Sequence, residues 1–134
     1  MTHLLDSSAV LAFYFGEPGA ERVREILADN RASVGLSVLT AAEFWSRLRA
    51  AGSEQAFDHD WFRLSEIVSE IITVSLPVVL KSIELRRAAT TRLPYVDALI
   101  AATAAHHDAV LLHRDTHFSA IPAHLLKQEL LPAK

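Results

Sequence analysis

The stretch from Leu93 to Phe118, LPYVDALIAATAAHHDAVLLHRDTHF, constrains the fold more than any other part of the chain. Its alanine-rich first half predicts a helix packed closely on another surface, with Pro94 as the first helical residue because its fixed φ is already helical. The apolar run 109–112 is typical of a buried parallel strand. Asp97 lies one turn into the helix, and Asp115 follows the strand. The stretch therefore predicts half of a site in which carboxylates meet at the carboxyl edge of a parallel sheet.

The rest of the chain alternates short apolar strands with helices, which is the pattern of βα units. Strands are predicted at 3–5, 32–38, 71–74 and 109–112, and helices at 7–15, 20–29, 40–51, 53–69, 77–89 and from residue 94 onward. The last stretch, 119–134, predicts a turn of helix and a short edge strand. We therefore expect one domain over residues 1–134, of the α/β class, with three α/β/α layers and a central parallel sheet of four or five strands.

Composition excludes several classes of protein. The chain has no cysteine, so it has no disulfide framework, no thiolate metal site and no cysteine nucleophile. Its apolar runs are too short to cross a bilayer, and its first residues lack the pattern of a signal peptide. We therefore expect a cytoplasmic protein with no membrane partner.

The charge is unevenly distributed, although the formal net charge is only −3. Bases outnumber acids from Ser75 onward, and Arg86, Arg87 and Arg92 are bunched. These arginines either form the solvated face of a helix or, if they point toward the acidic residues, bind the phosphates of a nucleic acid.

Four acids follow predicted strands or open the helices after them: Asp6, Glu43, Asp97 and Asp115. Each has an ordinary structural explanation when taken singly. Asp6 and Asp115 suit helix N-caps, Glu43 completes a Thr-x-x-Glu capping box with Thr40, and Asp97 complements a helix dipole. Taken together, the four are expected on one rim of the sheet.

Convergence of four carboxylates would be costly without a cation. A cluster of oxygen ligands without cysteine suits Mg²⁺ or Mn²⁺. One or two such ions can bridge a phosphodiester and lower the pKa of a bound water. The acids therefore favour phosphodiester hydrolysis.

Four segments, LLDSSAVLAFYFGEPG, LTAAEF, LPYVDALIAATAA and LLHRDTHF, occur in the order and spacing of the PIN domain motifs. The chain resembles this family, and in particular the VapC-type ribonuclease toxins of toxin–antitoxin pairs. The resemblance implies a PIN-like fold and a metal-dependent RNA endonuclease. Asp6, Glu43, Asp97 and Asp115 would be its catalytic metal ligands and Ser7 a polar auxiliary. It further implies a homodimer inhibited by a cognate antitoxin whose tail enters the acidic site.

Two histidines depart from the family pattern. His113 stands where the family often has Thr or Ser, and it is expected to be a half-buried structural residue or an auxiliary that orients a ligand. His117 stands where many members have another acid, but one imidazole beside four carboxylates is weak evidence for zinc. Neither histidine is expected to be essential.

Other classes of protein remain open. A receiver-type signalling domain also places Mg²⁺ at acidic strand ends, but Asp6 stands alone and Thr73 and Val74 occupy the place of a phosphoacceptor. A DxD phosphatase is disfavoured because Asp6 is followed by two serines. A non-catalytic α/β module, whose acids only cap helices or bind a single Mg²⁺, is the main alternative.

Overall fold

The structure, a computed structural model, describes residues 1–133; Lys134, the last residue of the predicted domain, lies outside them. Among these described residues, five strands form one sheet in the order β3-β2-β1-β4-β5, and every neighbouring pair is parallel. The strands are β1 (His3–Leu5), β2 (Val34–Ser37), β3 (Glu70–Ile72), β4 (Val110–His113) and β5 (Gln128–Leu130). The predicted parallel α/β fold is confirmed, including the short edge strand near the carboxyl terminus.

Six helices of the described part of the chain cover this sheet: α1 (Ser7–Phe15), α2 (Ala20–Ala28), α3 (Thr40–Ala50), α4 (Phe57–Ile67), α5 (Leu76–Ala88) and α6 (Tyr95–His106). Two 3-10 helices, Glu54–Ala56 and Thr116–Ala120, lie in the connections. Within residues 1–133, none of the helices combines the length and apolar character needed to span a lipid bilayer.

Side chains of the central strands point alternately to the two faces of the sheet, and helices pack on both faces to give three layers. Leu4 of β1 and Leu111 of β4 pack in one apolar cluster with side chains of α5 and α6. The next residues along, Leu5 and Leu112, pack in a second cluster with side chains of α1, α2, α3 and α4. Successive strand residues point to opposite faces, so each strand contributes to both cores.

The start of α6 differs slightly from the prediction. Pro94 is the N-cap, with ψ of 149°, and the helix begins at Tyr95. The run of small residues that follows is buried, and this allows the close packing of α6 that its alanines predict.

The predicted capping box at the start of α3 is wrong. Leu39 is the N-cap, Thr40 is already helical, and the cap has no side-chain hydrogen bond. The Glu43 carboxylate instead accepts a hydrogen bond from Ser7 Oγ, 36 positions away. A tertiary contact therefore replaces the local bond that the spacing predicts.

The third strand begins and ends earlier than predicted. β3 spans Glu70–Ile72, whereas the pattern predicted 71–74. Ser75 caps α5 by accepting from the backbone N–H of Val78 at 3.4 Å, so the chain turns into the helix soon after leaving the sheet.

Candidate active site

The four acids line one cavity of about 320 Å³. Asp6 is buried, whereas Glu43, Asp97 and Asp115 are half-buried. The other lining residues are serines, cations and two apolar side chains: Ser7, Ser8, Leu11, Ser46, Arg47, Ile100 and Arg114. Acids far apart in the chain therefore meet in space.

Each acid reaches the cavity from the end of a regular element. Asp6 follows β1 directly, and Asp115 lies two residues beyond β4, the neighbour of β1 in the sheet. The backbone N–H of Asp6 donates to the carbonyl of Leu112 at 3.0 Å, which fixes the two strand ends together. Glu43 and Asp97 lie in the first turns of α3 and α6.

Ser8 connects the two strand ends. Its hydroxyl donates to Asp6 Oδ1 at 2.6 Å and accepts from the backbone N–H of Arg114 at 2.8 Å. Asp6 also caps α1, because its Oδ1 accepts from the backbone N–H of Ala9 at 3.0 Å. The capping prediction for Asp6 is confirmed, and the same carboxylate lines the cavity.

Ser7 holds the carboxylate of Glu43. Its hydroxyl lies 2.6 Å from Glu43 Oε1, and the contact joins the start of α1 to the first turn of α3. Ser7 is itself buried and lines the cavity. The structure therefore places this predicted auxiliary beside a predicted ligand.

The environment of the cavity raises the pKa of three of its acids, Asp6, Glu43 and Asp97. Burial raises the pKa of Asp6 to about 7, and the nearby charges of Asp115 and Asp97 contribute in the same direction. Burial likewise raises the pKa of Glu43, with further contributions from Asp97 and Asp115. For Asp97, burial is again the largest cause of a raised pKa, while the hydrogen bond from His117 opposes it. The carboxylates repel one another and lack solvent, so a cation among them would be stabilising.

Asp97, Asp115 and His117 form the most compact group of metal-ligating side chains within residues 1–133. One ligand atom from each lies within 4.8 Å of the other two. Asp115 also caps the 3-10 helix by accepting from the backbone N–H of His117 at 2.9 Å, as predicted for a capping acid. The carboxylate oxygens of Asp97 and Asp115 suit Mg²⁺ or Mn²⁺, so these two acids fit the predicted cation, whereas the imidazole of His117 is a donor typical of transition-metal sites.

His113 contacts the turn that carries Asp115. It is buried rather than half-buried, and its ring packs on Phe118. Its Nδ1 accepts from the backbone N–H of Asp115 at 3.2 Å, so its Nε2 carries the proton donated to Gln128 Oε1 at 2.8 Å. Burial lowers the pKa of His113, which agrees with this neutral form. The ring therefore holds the turn that presents Asp115.

The structure does not bring the predicted arginine cluster to this cavity. Arg86, Arg87 and Arg92 are exposed and do not line it, and the Arg86 guanidinium lies over the ring of Tyr95. The cations that line the cavity are Arg47 and Arg114.

These two lining arginines have different environments. Arg114 is largely buried, and its guanidinium contacts Glu17 Oε1 at 2.9 Å and the Pro18 carbonyl at 3.3 Å. Arg47 is exposed and lies one turn after Glu43 on α3. That spacing of four places both residues on one helix face, and it is the signal that could have identified Arg47 from the sequence.

Solved structures of toxin–antitoxin proteins share this fold. VapBC2 from Rickettsia felis, bound to a promoter DNA fragment, is similar with a TM-score of 0.78 at 19% identity, covering 98% of this chain and 100% of that one. The sarcin-ricin loop cleaving toxin VapC20 from Mycobacterium tuberculosis is similar with a TM-score of 0.72 at 21% identity, and the match covers 98% of this chain and 100% of that one. A chain of a toxin–antitoxin complex from Klebsiella pneumoniae is similar with a TM-score of 0.69 at 25% identity, and the match covers 90% of this chain and 93% of that one.

No curated protein sequence gave a significant match to the chain. The family model described as the PIN domain matches residues 3–123. This span contains all four acids of the cavity and four of the five strands. The resemblance to PIN domains that the sequence motifs indicated is confirmed, and the chain belongs to the PIN domain family.

Proposed function

We propose that this protein is a VapC-type toxin: a single-domain, metal-dependent endoribonuclease that hydrolyses RNA phosphodiester bonds in the cytoplasm. The observation that carries the proposal is the meeting of Asp6, Glu43, Asp97 and Asp115 in one cavity. Its support from relatives is the PIN family match and the likeness to structures that include a toxin named for cleaving the sarcin-ricin loop.

The four acids are proposed as the catalytic residues and as the ligands of one or two Mg²⁺ or Mn²⁺ ions. Such ions activate water and neutralise charge on a phosphate when bound. Ser7 and Ser8 orient the carboxylates of Glu43 and Asp6 through their 2.6 Å hydrogen bonds. His113 is proposed as an auxiliary that orients Asp115 through its backbone N–H.

RNA phosphates need cations near the acidic cavity, because carboxylates repel them. Arg47 is proposed to contact a phosphate, since it is exposed and lines the cavity. Arg114 is held by Glu17 and Pro18, so its proposed role is to support the end of β4. Arg86, Arg87 and Arg92 are proposed to contact the part of the RNA that lies outside the cavity.

Two protein partners belong to the proposal. A cognate antitoxin is supported by the similar structures, which include VapBC proteins. A homodimer is supported by the exposed apolar side chains Leu76, Leu80 and Ile83, which follow one another along α5 at helical spacing.

The main alternative, a module whose acids only cap helices, explains two of the four. Asp6 and Asp115 do cap helices. Glu43 instead accepts a hydrogen bond from Ser7, and Asp97 contacts His117. Burial and nearby acids raise the pKa of both carboxyl groups. The helix dipoles favour both carboxylates, which lie in the first turns of α3 and α6, but a dipole acts equally on an exposed acid and does not account for their burial in one cavity.

Incubation of structured RNA, including a sarcin-ricin loop fragment, with the protein in Mg²⁺, Mn²⁺ or EDTA tests the proposal. We expect cleavage in either metal, none in EDTA, and a loss of at least a hundredfold in Asp97→Asn. Asp108→Asn is the matched control, because Asp108 is an exposed acid paired with Lys127 at 2.9 Å. Cleavage that persists in EDTA or in Asp97→Asn would contradict the proposal.

A further inference from the structure

The His117 ring lies between two carboxylates of the cavity. Its Nδ1 is 3.0 Å from Asp97 Oδ2 and 3.2 Å from Asp115 Oδ1. The ring comes from the 3-10 helix after β4, and Asp97 comes from α6, so elements from separate parts of the chain define this contact. The His117 side chain is about half exposed.

These distances are compatible with binding of one ion by all three side chains. Adjacent ligands of an octahedral ion with bonds of about 2.1 Å lie about 3 Å apart. The nitrogen of His117 has that separation from each carboxylate oxygen. An ion could therefore contact the three atoms after small side-chain movements.

The other histidine near the acids cannot act in this way. Both ring nitrogens of His113 have hydrogen-bond partners, Gln128 and the backbone N–H of Asp115, and the ring is buried against Phe118. His117 therefore differs from His113 in exposure and in its contact with two carboxylates.

We propose that His117 is a nitrogen ligand of the divalent ion bound by Asp97 and Asp115, and that it makes this site prefer Mn²⁺ to Mg²⁺. Imidazole suits transition-metal ions, whereas Mg²⁺ takes oxygen ligands. The inference rests on the proposed metal-dependent function and adds a specificity-determining residue to it. If His117 only orients the acids by hydrogen bonding, its nitrogen does not coordinate the ion.

Pulsed electron paramagnetic resonance of the Mn²⁺-loaded full chain, without RNA, separates the two roles. A coordinated imidazole couples its nitrogen nucleus to the manganese electrons, so we expect nitrogen modulation in the unmodified protein and its loss in His117→Ala and His117→Gln. His59→Ala is the matched control, since exposed His59 also lies beside a carboxylate, that of Asp60 at 2.9 Å. Circular dichroism checks that each variant is folded.

Calorimetric titration with each metal alone measures the preference. We expect His117→Gln to lower the Mn²⁺ affinity by about tenfold or more and the Mg²⁺ affinity by less than about threefold. Absence of nitrogen modulation in the unmodified protein, its survival in both His117 variants, or equal losses for the two metals would overturn the inference. Nitrogen coupling without RNA cleavage would overturn the proposed function alone, whereas metal-dependent cleavage without nitrogen coupling would overturn this inference alone.

Discussion

Ser8 Oγ accepts a hydrogen bond from the backbone N–H of Arg114 at 2.8 Å, across 106 positions of the chain. The same hydroxyl donates to Asp6 Oδ1 at 2.6 Å. One small side chain therefore fixes the end of β4 to the buried acid after β1. The position of Asp115, the residue after Arg114, depends on this bond.

Replacement of Ser8 by alanine tests that dependence. We expect Ser8→Ala to lower the free energy of unfolding by about 1–2 kcal/mol, because a partly buried backbone N–H loses its acceptor. We also expect weaker Mn²⁺ binding, since both Asp6 and the Asp115 turn lose a constraint. Urea denaturation and calorimetric titration measure the two effects. Ser46→Ala is the control, because Ser46 lines the same cavity but is exposed; equal effects of both substitutions would contradict the assigned role.

The metal-free protein should lose stability as pH rises, through Asp6. Burial raises the pKa of Asp6 from 3.8 to about 7, so the folded state holds a proton that the unfolded state has released between these values. The contribution of Asp6 is therefore fully present below about pH 4 and is lost as pH rises through about 7.

The Asp6→Asn variant isolates this contribution, because asparagine is also a good N-cap. In EDTA we expect it to melt higher than the unmodified protein at pH 8, and the difference to shrink toward pH 4. Asp29→Asn is the control and should not raise the melting temperature, because hydrogen bonds from Arg31 lower the pKa of Asp29. Thermal melts over this pH range provide the measurement. A lower melting temperature for Asp6→Asn at pH 8 would mean that the charged cap outweighs burial and repulsion.

Arg47 should contribute more to RNA binding than its neighbour Arg49. Each guanidinium lies over an aromatic ring, that of Arg47 over Phe15 and that of Arg49 over Trp45, but only Arg47 of the two lines the cavity. In an Asp97→Asn background, we expect Arg47→Gln to weaken RNA binding and to reduce the slope of log affinity against log salt by about 1. Arg49→Gln should leave the slope nearly unchanged.

The double variant Arg86→Ala with Arg87→Ala tests the distal cluster in the same titration. A reduced slope there would indicate an RNA path that extends over α5. If the salt dependence of RNA binding is unchanged in both Arg47→Gln and the double variant, then Arg47, Arg86 and Arg87 do not belong to the RNA-binding surface.

A charge on the exposed face of α5 should disrupt the proposed homodimer. Leu76, Leu80 and Ile83 are 69%, 56% and 41% exposed. We expect Leu80→Glu to reduce the mass in sedimentation equilibrium from two chains to one without lowering the melting temperature of the monomer. Phe62→Glu is the control on α4, where the phenylalanine is 63% exposed. Retention of the dimer by Leu80→Glu would place the interface elsewhere.

The sequence was sufficient to predict the features that depend on local pattern. Alternation of apolar strands and helices predicted the parallel sheet, and the acids at element ends predicted the cavity. The capping box failed because Ser7, remote in sequence, competes for Glu43. Arg86, Arg87 and Arg92 do not line the cavity, because nearness in sequence to Asp97 does not fix which way a side chain faces, and their predicted contact with RNA stays a prediction. Arg47 lines the cavity from α3.

Both helical layers contribute acids to the cavity, because Glu43 belongs to α3 on one face of the sheet and Asp97 to α6 on the other. During synthesis from the amino terminus, Asp115 is added after the other three acids. A polypeptide that stops before Asp115 therefore lacks the complete set of acids. The four carboxylates can therefore act together only after the chain has been made beyond Asp115 and both helical layers have packed on the sheet.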